Sequence, residues 1–448
     1  MDSGSILLSF TLLMSVLISL SSIDDAFIDV AALGIVRLGV PGLSPAVYES
    51  GLPPIAVFVA NWHEEDVLGK MVEGNLRRIT DPAVSLFLGV YPNDTGTLRI
   101  ARDLEAKYPD RVQVIVNTLD GPTSKGQMLN EMFNQVFSRD DCPDIAVLHD
   151  SEDVIDPRTF RIYAEYARNG YDFIQVPVFS LNRGRNAHVA STYMDEFAER
   201  HTREMVVRNA VGAMIPSAGV GTALTKKLVR HFVRERGMVL LSGTVTEDYI
   251  LGVEAKRAGF KSAFAAVSAD ETRGYDFVAT REFFPRNLAA SVKQKTRWIY
   301  GINFEAMRKL GWEGDFWDKY FFMRDRKGMI TNFLPPISLT LLLLNAVGLL
   351  SVDAMPIEWE KIFHVSLVVN SISALMRYVI RVFANHQVYG EYDPIGVAVR
   401  WPVALYINMM AVFGAWKIFL GESNFGTTPI VWSKTAHELP EDFMAARR

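Results

Sequence analysis

The chain has 448 residues, of which 49% are hydrophobic and 22% are charged, and its formal net charge is −5. It therefore lacks the basic excess that usually accompanies nucleic-acid binding, and its single cysteine, Cys142, excludes an intrachain disulfide. A chain of this length can build one large core or two domains, so composition alone leaves the fold open.

Four long apolar segments flank a polar middle region. The first covers residues 6–23 and contains no charged residue. The other three cover residues 330–351, 362–380 and about 399–420. Segments of this length and apolarity predict membrane-spanning helices. The sequence thus predicts an integral membrane protein with an N-terminal membrane helix in residues 1–50, a polar domain in residues 51–328, and membrane or interfacial helices with a short tail in residues 329–448.

Charged residues near the second apolar segment indicate its orientation. Arg324, Arg326 and Lys327 precede the segment, whereas acidic residues such as Asp353 follow it. Because lysine and arginine are enriched in cytoplasmic loops, this arrangement places the polar domain in the cytoplasm. Three full spans would then leave the C-terminus outside, but the segment around Arg400 is also compatible with an interfacial helix. The number of crossings therefore stays open.

The polar middle alternates short apolar runs with helical patterns, which is typical of a mostly parallel βαβ sheet. The predicted strands are Ile55–Ala60, Val84–Val90, Val112–Val116, 145–148, 173–178 and 262–266. Polar residues follow the first four strands. Because a parallel sheet brings the carboxyl ends of its strands to one edge, we expect Glu64, Asp94, Lys125 and Asp150 to share one crevice. Neither GxGxxG after the first strand nor GxxxxGK[ST] occurs, so a dinucleotide site or a P-loop is not supported.

An acidic cluster follows the fourth predicted strand. Asp150, Glu152 and Asp153 stand within four residues, directly after His149. Carboxylates this close repel one another unless a cation neutralises them, and a divalent cation held by carboxylates and substrate phosphates would do so. A solvated acidic turn is the alternative, and it is the commoner origin of such a run taken alone.

Lys125 follows a Gly-Pro turn at the start of a predicted helix. A lysine together with the backbone N–H groups of a helix N-terminus suits a phosphate group or a sugar hydroxyl. The alternative interpretation is a surface lysine in a loop.

Thr246, Glu247 and Asp248 stand at the start of another predicted helix, with Thr246 at the N-cap. Asp248 could act as a general base that takes a proton from an attacking hydroxyl. The alternative is that the two carboxylates only stabilise the helix N-terminus.

Gln294, Arg297 and Trp298 stand just before the membrane region, and Gln294 and Arg297 lie on one helical face. The arginine could hold a diphosphate and the tryptophan could stack on a sugar. An interfacial belt of Trp and Arg near a membrane entry is the alternative.

Taken together, these motifs resemble the processive, membrane-embedded family-2 glycosyltransferases of the cellulose- and hyaluronan-synthase kind. That family has a variable first acidic position, a DxD motif, a TED motif and a Q(Q/R)xRW motif, in this order, followed by membrane helices. The corresponding residues here are 150–153, 246–248 and 294–298. The resemblance covers about residues 53–298, and it implies an α/β domain of the GT-A type, Rossmann-like and with a mostly parallel sheet, flanked by transmembrane helices.

Within the family, the chain most resembles the phage-adsorption-protein-B type. The residues that carry this closer resemblance are Asp24-Asp25, 61–65, 91–94, 149–153, 219–222 and 428–435.

The resemblance also implies roles for individual residues. A metal ion, Mg²⁺ or Mn²⁺, would be held by Glu152 or Asp153; Glu152 replaces the second Asp of DxD and keeps its spacing, so it is favoured. Asp248 would be the base, with Glu247 beside it, while Arg297 would support the diphosphate and Trp298 the acceptor, and Gln294 is a further expected catalytic residue. The expected substrate-binding residues are Asn61, Glu64, Asp94, Lys125, Asp150, Gly219, Gly221 and Thr222.

The implied activity is an inverting transfer from a nucleotide-sugar, a UDP-hexose or UDP-N-acetylhexosamine, to a hydroxyl acceptor. The acceptor would be a glycan or a lipid-linked glycan, and the product an exported cell-envelope polysaccharide of a bacterial inner membrane. Membrane lipids and an envelope partner protein are further expected partners. Two alternatives remain: transfer of a single sugar to a polyprenyl phosphate, which the Gln294 motif disfavours, and a non-catalytic membrane scaffold or receptor component, which the intact acidic residues disfavour.

Overall fold

A computed structural model describes residues 3–38, 51–184, 186–268, 277–425 and 439. The late motif at residues 428–435 lies outside this part of the chain. The helices are α1 (Ser3–Leu38), α2 (Leu68–Arg78), α3 (Thr95–Lys107), α4 (Lys125–Phe137), α5 (Thr159–Arg168), α6 (His188–Glu199), α7 (Met205–Ala210), α8 (Lys226–Arg236), α9 (Glu247–Arg257), α10 (Leu288–Ile299), α11 (Ala306–Leu310), α12 (Phe316–Thr331), α13 (Leu334–Ala346), α14 (Ile357–Tyr389) and α15 (Pro394–Phe425).

A seven-stranded sheet forms the centre of the polar domain. Its strands are β1 (Ile55–Ala60), β2 (Val84–Val90), β3 (Val112–Val116), β4 (Ile145–His149), β5 (Phe173–Gln175), β7 (Thr222–Thr225) and β8 (Ser262–Phe264), and a separate pair joins β6 (Val178–Ser180) to β9 (Thr280–Glu282). The order in the sheet is β3-β2-β1-β4-β7-β5-β8. Strands β1 to β4 are mutually parallel, and β7 is antiparallel to both neighbours. The predicted parallel arrangement of the first four strands is confirmed.

Two details of the predicted strands are wrong. The run at 173–178 is not one strand but two, β5 and β6, which belong to different sheets. Pro177 lies between them, and a proline has no N–H to continue the hydrogen-bond ladder. Strands β7 and β9 were not predicted, because runs of four and three residues carry too little alternation to be recognised.

The strands β1 and β4 are buried over their whole length. Val57 and Val147 face a layer formed by α2, α3 and α5, whereas Phe58 and Leu148 face α4 and α8. Burial on both faces explains why these strands read as continuous apolar runs rather than as alternating ones. The Phe58 ring packs 5.0 Å from that of Phe133 on α4, which fixes the helix that carries Lys125 against the sheet.

In the described part of the chain, three helices are long and apolar enough to span a membrane: residues 5–35 of α1, helix α14, and residues 394–421 of α15. The apolar segment at 330–351 does not form one straight membrane helix, in contrast to the prediction. It is the second part of a pair, α12 and α13, which meet at a 40° bend and together have the composition of one broken span or a re-entrant loop. Pro335 at the start of α13 accounts for the break, since a proline cannot continue the preceding helix.

Helix α6 joins the polar domain to the last two membrane helices. Its Asp195 forms ion pairs with Arg400 of α15 at 2.8 Å, and its Glu199 pairs with Arg377 at 2.6 Å and Arg381 at 2.8 Å, both on α14. Charged side chains in membrane helices are expensive unless they are paired. These contacts therefore explain why basic residues interrupt otherwise apolar segments.

Ion pairs also hold helix α12 against helix α1. Arg324 contacts Asp24 and lies 3.1 Å from Asp25, and Lys327 lies 2.6 Å and 2.7 Å from the same two carboxylates. The basic residues that indicate the orientation thus also hold α1 against the domain. The cytoplasmic placement of the domain stays a prediction.

Candidate active site

One edge of the sheet brings together Lys125 and Asp150, which follow parallel strands, and Gly219, which precedes the antiparallel strand β7. Lys125 is the first residue of α4, after Ser124, whose side chain caps the helix by accepting a hydrogen bond from the Gln127 N–H at 3.1 Å. The Lys125 Nζ lies 2.5 Å from Asp150 Oδ1 and donates to the Gly219 carbonyl at 3.1 Å. Three segments far apart in sequence therefore meet at one ammonium group, and the strand order predicts the meeting of Lys125 with Asp150.

Helix α9 presents Glu247 and Asp248 to the same crevice. A Cβ atom at Gly219 would lie 2.6 Å from Asp248 Oδ2, and Gly219 has a φ of +79°, so only glycine allows this approach. A Cβ atom at Gly126 would likewise lie 2.9 Å from Glu247 Cγ. Both carboxylates therefore pack directly on the backbone that surrounds Lys125.

Thr246 stands at the predicted N-cap of α9, but its hydroxyl accepts no capping hydrogen bond from the described residues. The predicted N-cap position of Thr246 is confirmed. Thr246 instead packs against Gly301, where a Cβ would lie 2.5 Å from the threonine methyl group. Gly301 belongs to a π-helical turn, Tyr300–Glu305, whose Glu305 accepts a hydrogen bond from the Val245 N–H at 2.7 Å. That turn fixes the start of α9.

Burial and mutual repulsion determine the charges of the carboxylate pair. Burial, and then the charge of Asp248, raise the pKa of Glu247 to about 8. Burial also raises the pKa of Asp248, but the Lys125 ammonium opposes this rise. The pKa of Lys125 is itself raised, because the nearby carboxylates, Asp150 first, outweigh its burial. Glu247 is therefore the member of the pair that keeps its proton at neutral pH, and Asp248 is the one beside the cation.

We expect that the wild-type protein binds its donor more weakly at alkaline pH, and that replacing Glu247 with glutamine removes this weakening. As the pH rises through about 8, Glu247 ionises and adds a second negative charge beside Asp248, which repels an anionic donor. The wild-type kcat/KM for the donor should therefore fall above pH 8, whereas Glu247→Gln should lack this fall. Steady-state kcat/KM measured below and above that pH tests the prediction, and an equal fall in both proteins would contradict it.

The acidic cluster is held by its own backbone and by Asn75. Asp153 is fully buried; its Oδ2 lies 2.7 Å from His149 Nδ1 and accepts from the Asp150 N–H at 3.0 Å. Asn75 of α2 donates to the Asp153 carbonyl at 2.9 Å and accepts from the backbone two residues later. The other oxygen, Asp153 Oδ1, is buried without a hydrogen-bond partner among the described residues. Glu152, by contrast, keeps 8% of its surface exposed and contacts the Ser151 hydroxyl at 3.3 Å.

The end of α10 joins this crevice. Burial lowers the pKa of Arg297, while the charges of Asp150 and Glu247 act in the opposite direction, so the guanidinium lies within electrostatic reach of both carboxylates. Trp298 lies edge-on to the aromatic rings of Tyr193, Phe197 and Phe284, at centroid distances of 6.1 to 6.3 Å. Gln294 stands one turn before Trp298 on the same helix, and its Oε1 is buried without a hydrogen-bond partner in the described part of the chain.

The polar residues after β1 and β2 are buried. Asn61 is fully buried, and its amide group ties β1 to β2 by donating to the Val59 and Gly89 carbonyls at 2.8 and 3.0 Å, while its Oδ1 has no hydrogen-bond partner among the described residues. Asp94 caps α3 and also accepts from the His63 N–H at 2.6 Å. Glu64, which follows β1, is also buried.

Ligand-type atoms of His63, Glu65 and Asp94 lie within 4.8 Å of one another. The sequence offered no metal-type spacing for these three residues, so this group was not predicted. Only the structure identifies it, because Asp94 follows a different strand from the other two residues.

The loop that ends at Thr222 is shaped by Gln175, a residue that the sequence analysis missed. The Gln175 Oε1 accepts from the Ala218 N–H at 2.9 Å and the Thr222 hydroxyl at 2.6 Å, and its Nε2 donates to the Val220 carbonyl at 2.9 Å. Gly221 has a φ of +61° in this loop. A buried amide within the apolar run FIQVPVF is the signal that could have identified Gln175.

A cavity of about 790 Å³ leads from this crevice to the membrane helices. Asp248, Gln175 and Trp298 line its catalytic end, and Asn370 of α14 and Trp401 of α15 line its far end. The base candidate and the membrane helices therefore share one continuous space.

Residues 53–301 match the family model described as Glycosyltransferase like family 2, and this range is more than half of the chain. The chain belongs to that family. The predicted resemblance to membrane-embedded family-2 glycosyltransferases is confirmed.

Two curated relatives support the closer resemblance to the phage-adsorption-protein-B type. Bacteriophage adsorption protein B of Escherichia coli (strain K12) and Bacteriophage N4 adsorption protein B of Escherichia coli O157:H7 are each 30% identical to the chain over 466 aligned residues. The alignment covers 95% of this chain and 61% of each relative, so the chain spans about three fifths of their length. The predicted phage-adsorption-protein-B type is confirmed.

Among solved structures, the chain is similar to the mannosyltransferase PcManGT from Pyrobaculum calidifontis in complex with GDP-Man and Mn²⁺, with a TM-score of 0.55 and 12% identity. The similarity covers 88% of this chain and 99% of that one. At this identity the likeness concerns the fold, and the predicted GT-A type domain with flanking membrane helices is confirmed. This family-2 glycosyltransferase is therefore a membrane protein.

Proposed function

We propose that this glycosyltransferase transfers a hexosyl or N-acetylhexosaminyl group, with inversion, from a UDP-sugar to a hydroxyl group of a growing glycan. The observation that carries the proposal is that Asp248 lies beside the Lys125–Asp150 ion pair and also lines a cavity that reaches the membrane helices. A base, a phosphate-binding cation and an acceptor space are thus adjacent.

In the proposed reaction, Asp248 accepts the proton of the acceptor hydroxyl as this oxygen attacks the anomeric carbon from the side opposite the diphosphate. Lys125 and Arg297 bind the diphosphate and stabilise the negative charge that grows on it. Glu247, protonated at neutral pH, leaves Asp248 as the negative member of the pair. Trp298 forms an apolar wall against which an acceptor sugar stacks.

The residues present fit a divalent cation. Glu152 and Asp153 offer oxygen ligands, which Mg²⁺ and Mn²⁺ prefer, and Asp153 Oδ1 is a buried oxygen without a hydrogen-bond partner among the described residues. We favour Glu152 as the ligand nearer the diphosphate, because it retains exposed surface whereas Asp153 is fully buried. When bound, the cation neutralises charge on the leaving diphosphate.

The charges along the cavity support a neutral glycan over a polyprenyl phosphate as acceptor. Arg377 and Arg381 pair with Glu199, and Lys295 pairs with Glu196. Cations that are already neutralised attract a phosphate weakly, and the adjacent carboxylates repel it. Paired ions have both donor and acceptor atoms, which suits sugar hydroxyls.

We further propose a location in the bacterial inner membrane, with residues 51–328 as the cytoplasmic catalytic domain and an envelope protein as partner. The positive-inside pattern and the similarity to the adsorption proteins support this placement.

Asn61, Glu64 and Asp94 would shape the nucleoside end of the crevice, Asn61 through the backbone, and Gly219, Gly221 and Thr222 would form the acceptor floor.

A donor screen with the purified protein in lipid nanodiscs tests the proposal. UDP-hexoses, UDP-N-acetylhexosamines and GDP-Man are supplied in turn with Mg²⁺ or Mn²⁺, and the released nucleotide diphosphate and the size of labelled product are measured. We expect one class of UDP-sugar to give release and a product of many sugars. A single sugar on an extractable lipid would favour the polyprenyl-phosphate alternative, and no release from any donor would favour the scaffold.

A further inference from the structure

Strand β9 lies beside the acidic loop. The backbone of Arg281 forms two hydrogen bonds with Val154: the Val154 N–H donates to the Arg281 carbonyl at 2.8 Å, and the Arg281 N–H donates to the Val154 carbonyl at 3.2 Å. Val154 comes two residues after Glu152. The bridge therefore fixes Glu282, the last residue of β9, next to the loop that carries the metal-ligand candidates.

The alternation of side chains along β9 indicates where Glu282 points. A Cβ atom at Gly221 would lie 2.5 Å from the Thr280 hydroxyl, so Thr280 faces the loop at the crevice. Arg281 faces away, with its guanidinium 5.5 Å from the Phe179 ring. Since side chains two apart in a strand lie on the same face, Glu282 points to the Thr280 side.

The charges around Glu282 agree with this direction. Burial raises the pKa of Glu282 well above its usual range, and the carboxylates of Asp153, Glu152 and Asp150 raise it further, Asp153 most strongly. Lys125 is the cation that acts in the opposite direction, and Asp150 already pairs with it at 2.5 Å. Glu282 therefore lies close enough to the three carboxylates of the acidic loop for their charges to act on it.

A second observation points to a ligand at this place. Asp153 is fully buried, and its Oδ1 has no hydrogen-bond partner among the described residues, although its Oδ2 has two. An unpaired carboxylate oxygen in the protein interior is costly unless a cation or a donor reaches it. Asp153 directly precedes Val154, whose backbone pairs with Arg281, the neighbour of Glu282 on β9, so the unpaired oxygen and the fourth carboxylate belong to adjacent segments.

We propose that Glu282 is a third protein ligand of the divalent cation, which it binds from β9 together with Glu152 and Asp153 of the acidic loop. The inference rests on the proposed metal-dependent transfer. Mg²⁺ and Mn²⁺ take about six oxygen ligands, so three carboxylates leave places for the donor diphosphate and water. Because β9 also contacts the loop at Gly221, this ligand couples the position of the cation to the acceptor floor.

Binding of Mn²⁺ to the full chain in nanodiscs tests the proposal without turnover. The electron paramagnetic resonance signal of free Mn²⁺ is titrated with wild type, Glu282→Gln and a control, Glu235→Gln, whose exposed carboxylate lies on α8. We expect the control to bind like wild type and Glu282→Gln to bind about 10- to 100-fold more weakly. Unchanged Mn²⁺ affinity in a folded Glu282→Gln would overturn the proposal.

A measurement on the wild-type protein covers the case in which the variant does not fold. In a structure with Mn²⁺ and UDP, we expect a Glu282 carboxylate oxygen within about 2.5 Å of the ion, and a separation beyond the first coordination shell would overturn the proposal. Neither readout requires catalysis. A protein that binds Mn²⁺ through Glu282 but transfers no sugar would contradict the proposed function alone.

Discussion

The variant Asp248→Asn is expected to transfer sugar about 10²–10⁴ times more slowly than wild type. The amide has the shape of the carboxyl group but cannot accept the proton of the acceptor hydroxyl. Because Asp248 packs on Gly219 beside the Lys125 ammonium, an isosteric change leaves the backbone contact and the phosphate-binding cation in place. Donor affinity should therefore remain close to that of wild type while kcat falls.

The measurement is incorporation of labelled sugar by the purified protein in lipid, together with donor affinity from calorimetry. Asp103→Asn is the matched control, because it makes the same chemical change at an exposed position of α3. Equal labelling by Asp248→Asn and Asp103→Asn would exclude Asp248 as the base. Loss of donor binding in Asp248→Asn would instead assign the residue to binding.

Replacing Asp325 with alanine is expected to lower the free energy of unfolding by about 3–5 kcal/mol. Asp325 of α12 accepts hydrogen bonds from Arg208 at 2.8 Å and from the Tyr249 hydroxyl at 2.7 Å. The Arg208 side chain is fully buried and that of Asp325 is 1% exposed, so removal of the carboxylate leaves a guanidinium charge without its partner in the interior.

Tyr249 directly follows Asp248, so the same change should also loosen the start of α9. Thermal unfolding in detergent measures the loss of stability, and a second substitution tests its cause. In the double variant Asp325→Leu with Arg208→Met, both charges are gone, and most of the lost stability should return. If the double variant is less stable than Asp325→Ala, the cost does not come from an uncompensated charge.

Much of the site could be predicted from local patterns. Apolar runs that end in polar residues identified β1 to β4, and the rule that parallel strands end at one edge was enough to bring Lys125 and Asp150 into one crevice. Membrane helices were recognisable by length and apolarity, although the bend between α12 and α13 was not. The physical reason is that these signals depend on neighbours within one strand or one helix.

Other features depended on partners far away in the chain. Gln175 looked like one polar residue in an apolar run, yet it holds the loop that ends at Thr222. Asn61 was recognisable only as a polar residue after β1, yet its amide group binds the backbone of both β1 and β2. No pattern in a single sequence records which distant backbone group a buried amide will meet.

By itself, the sequence determined the family, the GT-A type sheet and the approximate positions of the membrane helices, because motif order and hydrophobic runs are properties of the chain alone. Only the tertiary structure decided which carboxylates meet. It set Asp153 against His149, kept Glu247 protonated beside Asp248, and brought Glu282 to the acidic loop. Charge and protonation depend on burial and on spatial neighbours, and these exist only after the chain has folded.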